Sequence, residues 1–294
     1  IVRVLAGIGL AGELGAGITL VSETMHKEKR GYGTMIIVTF GALGAVLAAL
    51  VGTEGHYIAE FLTNITGYSF QNWQVAYLIG GSLGLMLLIL RVGAFESGMF
   101  KSMQEHSVKK GDFLALFKTR ENTFKYLNCI LIGLPIWYVI GVLVSLSQDV
   151  FAKELGIEGI VNGKAVMYAY IGLSIGDLIS GLLSQLLRSR RKVVFIYLGF
   201  TSLLVLYFIF ASKGISASSY YLLCFILGIA TGYWAIFVTI ASEQFGTNIR
   251  STVTNTVPNF VRGAVLPITT GFIWVSGYTN SLTGALIIGF ICIL

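Results

Sequence analysis

Charge is what this chain has least of: Asp, Glu, Lys and Arg make up 12% of its 294 residues, against about 25% in an ordinary soluble domain. With 55% hydrophobic residues beside it, that shortage excludes both a water-solvated globule and an intrinsically disordered chain. Only three prolines are present, which rules out a collagenous repeat. Cys129, Cys224 and Cys292 each fall inside an apolar run, so they form neither a disulfide framework nor a metal cluster. His26, His56 and His106 read as loop residues too scattered to hold a metal, and no cofactor is expected. No Walker loop, nucleophile elbow or zinc helix occurs. ATP hydrolysis by this chain and an integral-membrane enzyme with a clustered nucleophile or metal triad therefore lack support. A channel would need a narrow filter segment, and none is visible.

What is abundant is apolar length. Nine stretches, 1–22, 33–52, 74–92, 126–147, 165–187, 193–212, 220–242, 253–275 and 280–294, approach the roughly 20 residues with which a helix crosses a bilayer. None alternates as a lipid-facing barrel strand would, and helices are the other way to satisfy the backbone in hydrocarbon. The expected fold is all-α, a polytopic membrane bundle. Fifteen of the 20 basic residues lie in the loops after the first, third, fifth and seventh stretches. By the positive-inside rule these loops are cytoplasmic, with the plasma (inner) membrane the expected location. The net charge of +6 sits in these short loops, so nucleic acid is not an expected partner.

The chain opens inside an apolar helix without a methionine, and its last stretch stops after 15 residues. It reads as a piece with helices missing upstream, a reading that an internal repeat strengthens. Residues 12–30 and 232–250 align at a constant offset: Gly12 with Gly232, Leu20 with Ile240, Ser22-Glu23 with Ser242-Glu243, and Arg30 with Arg250. Each copy is a glycine-rich helix ending in Ser-Glu, followed after six residues by arginine. If spans one to three recur as seven to nine, the complete arrangement has twelve spans in two pseudo-repeated halves, as secondary transporters commonly do. The expected division is 1–92 for the remainder of an incomplete N-terminal half, 93–125 for a cytoplasmic linker and 126–294 for the C-terminal half. In the linker Phe113, Leu116, Phe117 and Phe124 would share one side of an amphipathic helix lying in the interface, or the segment is a plain connection.

Ionisable groups inside apolar helices are costly unless they face water or a partner. Four stand out: Arg3, Glu13, Asp177 and Arg262. Tyr170, Ser174, Asp177, Gly181 and Ser184 recur at helical spacing as one polar stripe, expected to line a water-filled cavity in which Asp177 binds substrate or exchanges a proton. The alternative is an aspartate paired permanently with an arginine. Thr252, Asn255, Asn259 and Arg262 form a second stripe, whose amides and guanidinium suit a carboxylate or phosphate. There the alternative is an arginine snorkelling outward or neutralised by Asp177. Glu13 shares a face with Ala6, Gly9, Ala16 and Gly17. It is either a proton carrier or a hydrogen-bond donor in a close helix contact. Trp137, Gly141, Ser145 and Gln148 share a face beyond Pro135, where stacking and an amide suit an organic solute. Tyr233 and Trp234 are weaker candidates of the same kind. The uncharged span 193–212 reads as lipid-facing.

Arg3-x3-Gly7-x-Gly9-x2-Gly12-Glu13, then Glu23-x6-Arg30-Gly31, resembles the fourth helix and following loop of the major facilitator superfamily. The Gly-Glu pair is most similar to its metabolite:proton symporters, and Glu-x6-Arg to its sugar porters. Arg91 with Glu96-Ser97 resembles the element after the sixth helix. Gly181…Arg188-Ser189-Arg190-Arg191-Lys192 resembles the basic loop signature in its second copy, with Gln185 where an aspartate is expected. The resemblance covers the chain as helices four to twelve. It implies that Arg3 lines the cavity, and that Glu23, Arg30, Arg91, Glu96, Glu243 and Arg250 form cytoplasmic ion pairs latching the halves in one state. The function implied is a monomeric secondary transporter working by alternating access, proton-coupled, for a small polar and anionic metabolite. A sugar porter or an exporter of amphiphiles in the same superfamily is the second reading, and a membrane enzyme or receptor the third.

Overall fold

The computed structural model describes residues 2–26, 30–91 and 112–293. Nine apolar helices run through them and no strand is present among the described residues. They are α1 (Val2–Thr24), α2 (Arg30–Thr66), α3 (Asn72–Arg91), α4 (Arg120–Val144), α5 (Asn162–Leu186), α6 (Arg190–Ala211), α7 (Ala217–Glu243), α8 (Thr247–Tyr278) and α9 (Ser281–Ile293). Each overlaps one of the nine apolar stretches. The largest departure is α2, whose 37 residues span about 55 Å at 1.5 Å per residue, well beyond a hydrocarbon core of about 30 Å. The helix continues past residue 52 and stops at Gly67, which takes φ +71, a conformation open to glycine. His56 thus lies within α2 rather than in a loop.

Helix starts follow local chemistry. Thr119 accepts a hydrogen bond from the Asn122 amide (3.3 Å) and opens α4, and Ser189 accepts one from Lys192 (3.4 Å) and opens α6. Before Ser189, Arg188 takes the left-handed conformation, φ 47, which reverses the chain within a few residues. Of the linker, residues 92–111 lie outside the described residues. Phe113–Phe117 form one 3-10 turn with Leu116 buried, and Phe124 belongs to α4 after the Thr119 cap. The four aromatic and aliphatic residues expected on one helix are thereby divided between two elements.

Three helices are irregular. Beyond Pro135, which has no N–H to donate, α4 continues as a π-helix over Val139–Val144. Between Ala217–Thr231 and Trp234–Glu243, α7 breaks at Gly232-Tyr233. Thr247–Gly263 and Val265–Tyr278 form α8, with a break at Ala264.

The tightest crossing is between α5 and α7. A Cβ on Gly172 would meet the backbone oxygen of Phe225, one on Gly228 that of Ala169, and one on Gly176 that of Ile229; one on Gly232 would meet the Gly176 Cα. Two Gly-x3-Gly pairs therefore face each other and let the backbones touch, the small-residue solution to helix packing in lipid. Elsewhere α2 packs on α5 where Gly181 admits Met35. α3 and α6 are peripheral. Leu88, Ile89 and Leu90 of α3, and Phe195, Leu203 and Phe210 of α6, are exposed. Only one face of span 193–212 turns outward, since Val193, Tyr197, Thr201, Val205 and Phe208 pack inward. Length, hydropathy and this outward apolar surface make the chain an integral, multi-pass membrane protein.

Candidate functional site

A cavity of about 310 Å³ lies where α1 and α2 meet the later helices. Leu14 of α1 and Val38 and Ala42 of α2 wall one side. Trp137 of α4, Tyr170 of α5, Trp234 of α7 and Arg262 of α8 wall the other. The Arg262 guanidinium sits 5.3 Å from the Trp234 ring centroid, within cation–π range. Trp137 meets Trp234 edge to face, with centroids 6.1 Å apart. The Trp137 Nε1 is buried and has no hydrogen-bond partner among the described residues. A buried donor left unmatched is costly. Among the described residues, no ionisable side chain besides Arg262 and the Tyr170 phenol lines the cavity, so its chemistry there is one cation, two indoles and an apolar wall.

Asp177 stands just behind this wall. It is 0% exposed, and its Oδ1 accepts a hydrogen bond from the Ala235 amide at 3.0 Å, one residue past Trp234. Its Oδ2 has no partner, and no cation pairs with it, among the described residues. The alternative reading, a permanent pairing with an arginine, thus has no such pair among the described residues. The rest of its stripe does not line water. Ser174, Gly181 and Ser184 are buried; both hydroxyls bond to carbonyls of their own helix, and Gly181 takes Met35. Only Tyr170 reaches the cavity. The physical reason is the glycine crossing and the α2 contact, which draw this face of α5 into helix–helix seams.

The second stripe divides as well. The Asn259 Nδ2 donates to the Ala11 oxygen (3.1 Å) and to the Asn255 oxygen (2.6 Å). Asn255 donates to Ser251 (3.0 Å) and presses against Gly15, while Thr254 meets Thr19 at 2.8 Å. These groups stitch α8 to α1. Asn255 and Asn259 face a separate groove of about 870 Å³ between α1, α4 and α8, and of the stripe only Arg262 turns to the cavity. Gln148 is also placed away from Trp137. The π-helix changes the residues per turn, so the +4, +4, +3 face assumed for an α-helix does not persist. The Gln148 Oε1 instead accepts from the Asn162 amide (3.0 Å) and ties down the chain entering α5.

Glu13 is half-buried on α1. Its small-residue neighbours do not form a close contact: Ala6, Gly9 and Ala16 are exposed, and nothing lies within 4 Å of a Cβ built on Gly9 or Gly17. The side chains of Arg3, Arg30 and Arg91, and Glu96 altogether, lie outside the described residues.

Two ion pairs between separate helices gather at the end of the bundle that carries the basic loops. Arg190 makes a two-pronged contact with Glu243, Nε to Oε2 at 2.8 Å and Nη2 to Oε1 at 2.7 Å. Arg250, only 8% exposed, donates Nε to the Ser242 oxygen (2.9 Å) and approaches Glu23 at 3.8 Å. Glu23 and Glu243 thus occupy matching helix ends, as the repeat requires, and the Glu23–Arg250 contact joins the first three helices to the last six. Arg190 had no assigned role in the sequence. The left-handed Arg188 and the Ser189 cap aim it, and Gly31 of α2 lies against it. In a double-mutant cycle, Arg190→Ala and Glu243→Gln should show a coupling of about 1 kcal/mol in thermal unfolding, the upper end for partly exposed pairs. Strict additivity would reduce the contact to solvated surface charge.

The family description "Major Facilitator Superfamily" matches residues 1–266. Among individual relatives, a Bacillus subtilis (strain 168) protein named for niacin and nicotinamide transport, NiaP, is 34% identical over 35% of this chain and 23% of its own length. The Acinetobacter baylyi (strain ATCC 33305 / BD413 / ADP1) niacin transporter NiaP is 30% identical over 30% of this chain and 17% of its own. A Cupriavidus pinatubonensis (strain JMP 134 / LMG 1197) protein named for 4-methylmuconolactone transport is 23% identical over 86% of this chain and 56% of its own. The matched parts of the chain thus span 23%, 17% and 56% of these three relatives' own lengths. With nine apolar helices among the described residues, a cavity between its early and late helices and a family match across nine-tenths of its residues, the chain belongs to the Major Facilitator Superfamily.

Proposed function

We propose that the chain is part of a secondary transporter that moves a small planar carboxylate by alternating access, coupled to protons. The observation that carries this reading is the Arg262 guanidinium held on Trp234 beside an unmatched Trp137 N–H, in a cavity walled by both sets of helices. A carboxylate would take two parallel hydrogen bonds from Arg262, and an aromatic or lactone body would lie against the indoles and aliphatic wall. The names of the relatives fit such a solute, since niacin is an aromatic carboxylate. A sugar porter is the second reading, favoured by 25% identity to the hexose transporter 1 of Plasmodium falciparum (isolate 3D7) over 57% of this chain. A sugar needs many neutral hydrogen-bonding groups, and this cavity supplies few.

In this reading the basic end faces the cytoplasm of the plasma membrane, and Glu23–Arg250 with Arg190–Glu243 latch that face shut. Charges there pair when the halves close and hydrate when they part. Asp177 carries the proton, with Glu13 as the alternative carrier. Asn255 and Asn259 serve the seam between α1 and α8, Arg3 lines the path, and the protein works as a monomer. Uptake into proteoliposomes across a panel of nicotinate, benzoate, glucose and a cationic amphiphile, with and without a pH gradient, tests it. The expected result is carboxylate uptake raised by an inward-directed proton gradient. Glucose uptake indifferent to the gradient would establish the sugar reading instead, and turnover requiring ATP would overturn both.

A further inference from the structure

We propose that Asp177 is a positioning residue for the cavity: it caps, from a neighbouring helix, the N-terminus of the Trp234–Glu243 segment of α7 and thereby fixes Trp234 and the guanidinium resting on it. The function of the cavity itself rests on the reading above; the positioning does not. A helix begun in mid-membrane exposes N–H groups with no intrahelical partner, and no water is at hand in hydrocarbon to satisfy them. The segment's own cap residue, Tyr233, offers no side-chain hydrogen bond to that end. Its hydroxyl is used elsewhere, donating to the Ile132 oxygen at 2.9 Å. The Asp177 Oδ1 takes the Ala235 N–H instead, and a carboxylate at a helix N-terminus is also favoured by the helix dipole.

The neighbouring groups leave this cap undisturbed. Tyr197 of α6 donates its hydroxyl to the Gly176 oxygen at 3.0 Å, so neither nearby phenol competes for the carboxylate. The Gly176–Gly232 contact sets the spacing at which Asp177 reaches the break. Trp234, 6% exposed, is the first residue of the capped segment and the ring beneath Arg262. One carboxylate thus connects the α5–α7 seam to the solute wall.

The test uses fluorescence of the full chain in which Trp73, Trp137 and Trp274 are replaced by phenylalanine, leaving Trp234 as reporter. Losing the cap in Asp177→Ala should raise acrylamide quenching of Trp234 about twofold, whereas Asp177→Asn, whose amide oxygen still accepts the Ala235 N–H, should match the parent. In the chain with all four tryptophans, Asp177→Ala should weaken nicotinate binding about tenfold and Asp177→Asn less than twofold. In an Arg262→Lys background, the same Asp177→Ala change should add little, because both act through one contact. Unchanged Trp234 quenching in Asp177→Ala, or an Asp177→Asn variant as perturbed as the alanine one, overturns the proposal. If Trp234 responds as expected but nicotinate binds to no form, the positioning stands and the carboxylate reading falls. If Asp177→Asn binds nicotinate normally yet accumulates it without regard to a pH gradient, the same residue both positions and carries the proton.

Discussion

A leucine at Gly176 or Gly232 is expected to leave no monodisperse protein after detergent extraction, while a leucine at Gly199 is expected to behave as the parent chain. Gly176 and Gly232 sit backbone to backbone at the α5–α7 crossing, where even one added carbon overlaps main-chain atoms. Main chain cannot step aside as a side-chain end can, so a leucine there must push the helices apart and break the seam between them. Gly199 has nothing within 4 Å of a Cβ and lies on the outward α6. The graded variant Gly176→Ala should fold, but at the upper end of overpacking costs, about 3 kcal/mol. That corresponds to a fall of roughly 6–12 °C in the thermal midpoint at 2–4 °C per kcal/mol. Size-exclusion profiles and thermal unfolding of the four variants check this. A well-behaved Gly232→Leu protein would show that the crossing is looser than its geometry.

Replacing Arg262 by alanine is expected to lower uptake efficiency for a carboxylate at least about 100-fold, the loss of some 3 kcal/mol for truncating one partner of a desolvated charge pair. Arg262→Lys should recover only part of it. A lysine keeps the charge but loses both the planar contact with Trp234 and the forked donation to two oxygens. Transport of an uncharged solute should change far less in either variant. Uptake measured at several concentrations separates the two effects, because lost binding raises KM and lost insertion lowers only the maximum rate. Equal losses for charged and uncharged solutes would make Arg262 a structural residue.

Much of this architecture is legible in the sequence because length and hydropathy alone dictate helices in a bilayer. The nine apolar stretches correspond to nine helices among the described residues, and the repeat places Glu23 and Glu243 at matching helix ends. What misleads is the assumption of one helical period throughout. The π-helix after Pro135 parts Gln148 from Trp137, and no regular wheel anticipates it. Polar stripes identify faces that need partners but not which partners. For Ser174 and Ser184 the answer is their own backbone, and for Asn255 and Asn259 it is chiefly backbone of their own helix and of α1. The signal available but unread is the pair of Gly-x3-Gly spacings, Gly172–Gly176 and Gly228–Gly232. Together they foretell a close crossing and place Asp177 beside the break in α7. Arg190 was visible only as one of several loop arginines, since its partner lies 53 residues away.

Equilibrium binding of a carboxylate and its primary amide, nicotinate against nicotinamide, tests the central claim most directly. The two share size and ring and differ in the charge offered to Arg262. The account predicts nicotinate at least about tenfold tighter in the parent protein, with the preference gone in Arg262→Ala. Equal affinities in the parent, or a preference that survives the loss of Arg262, would contradict it.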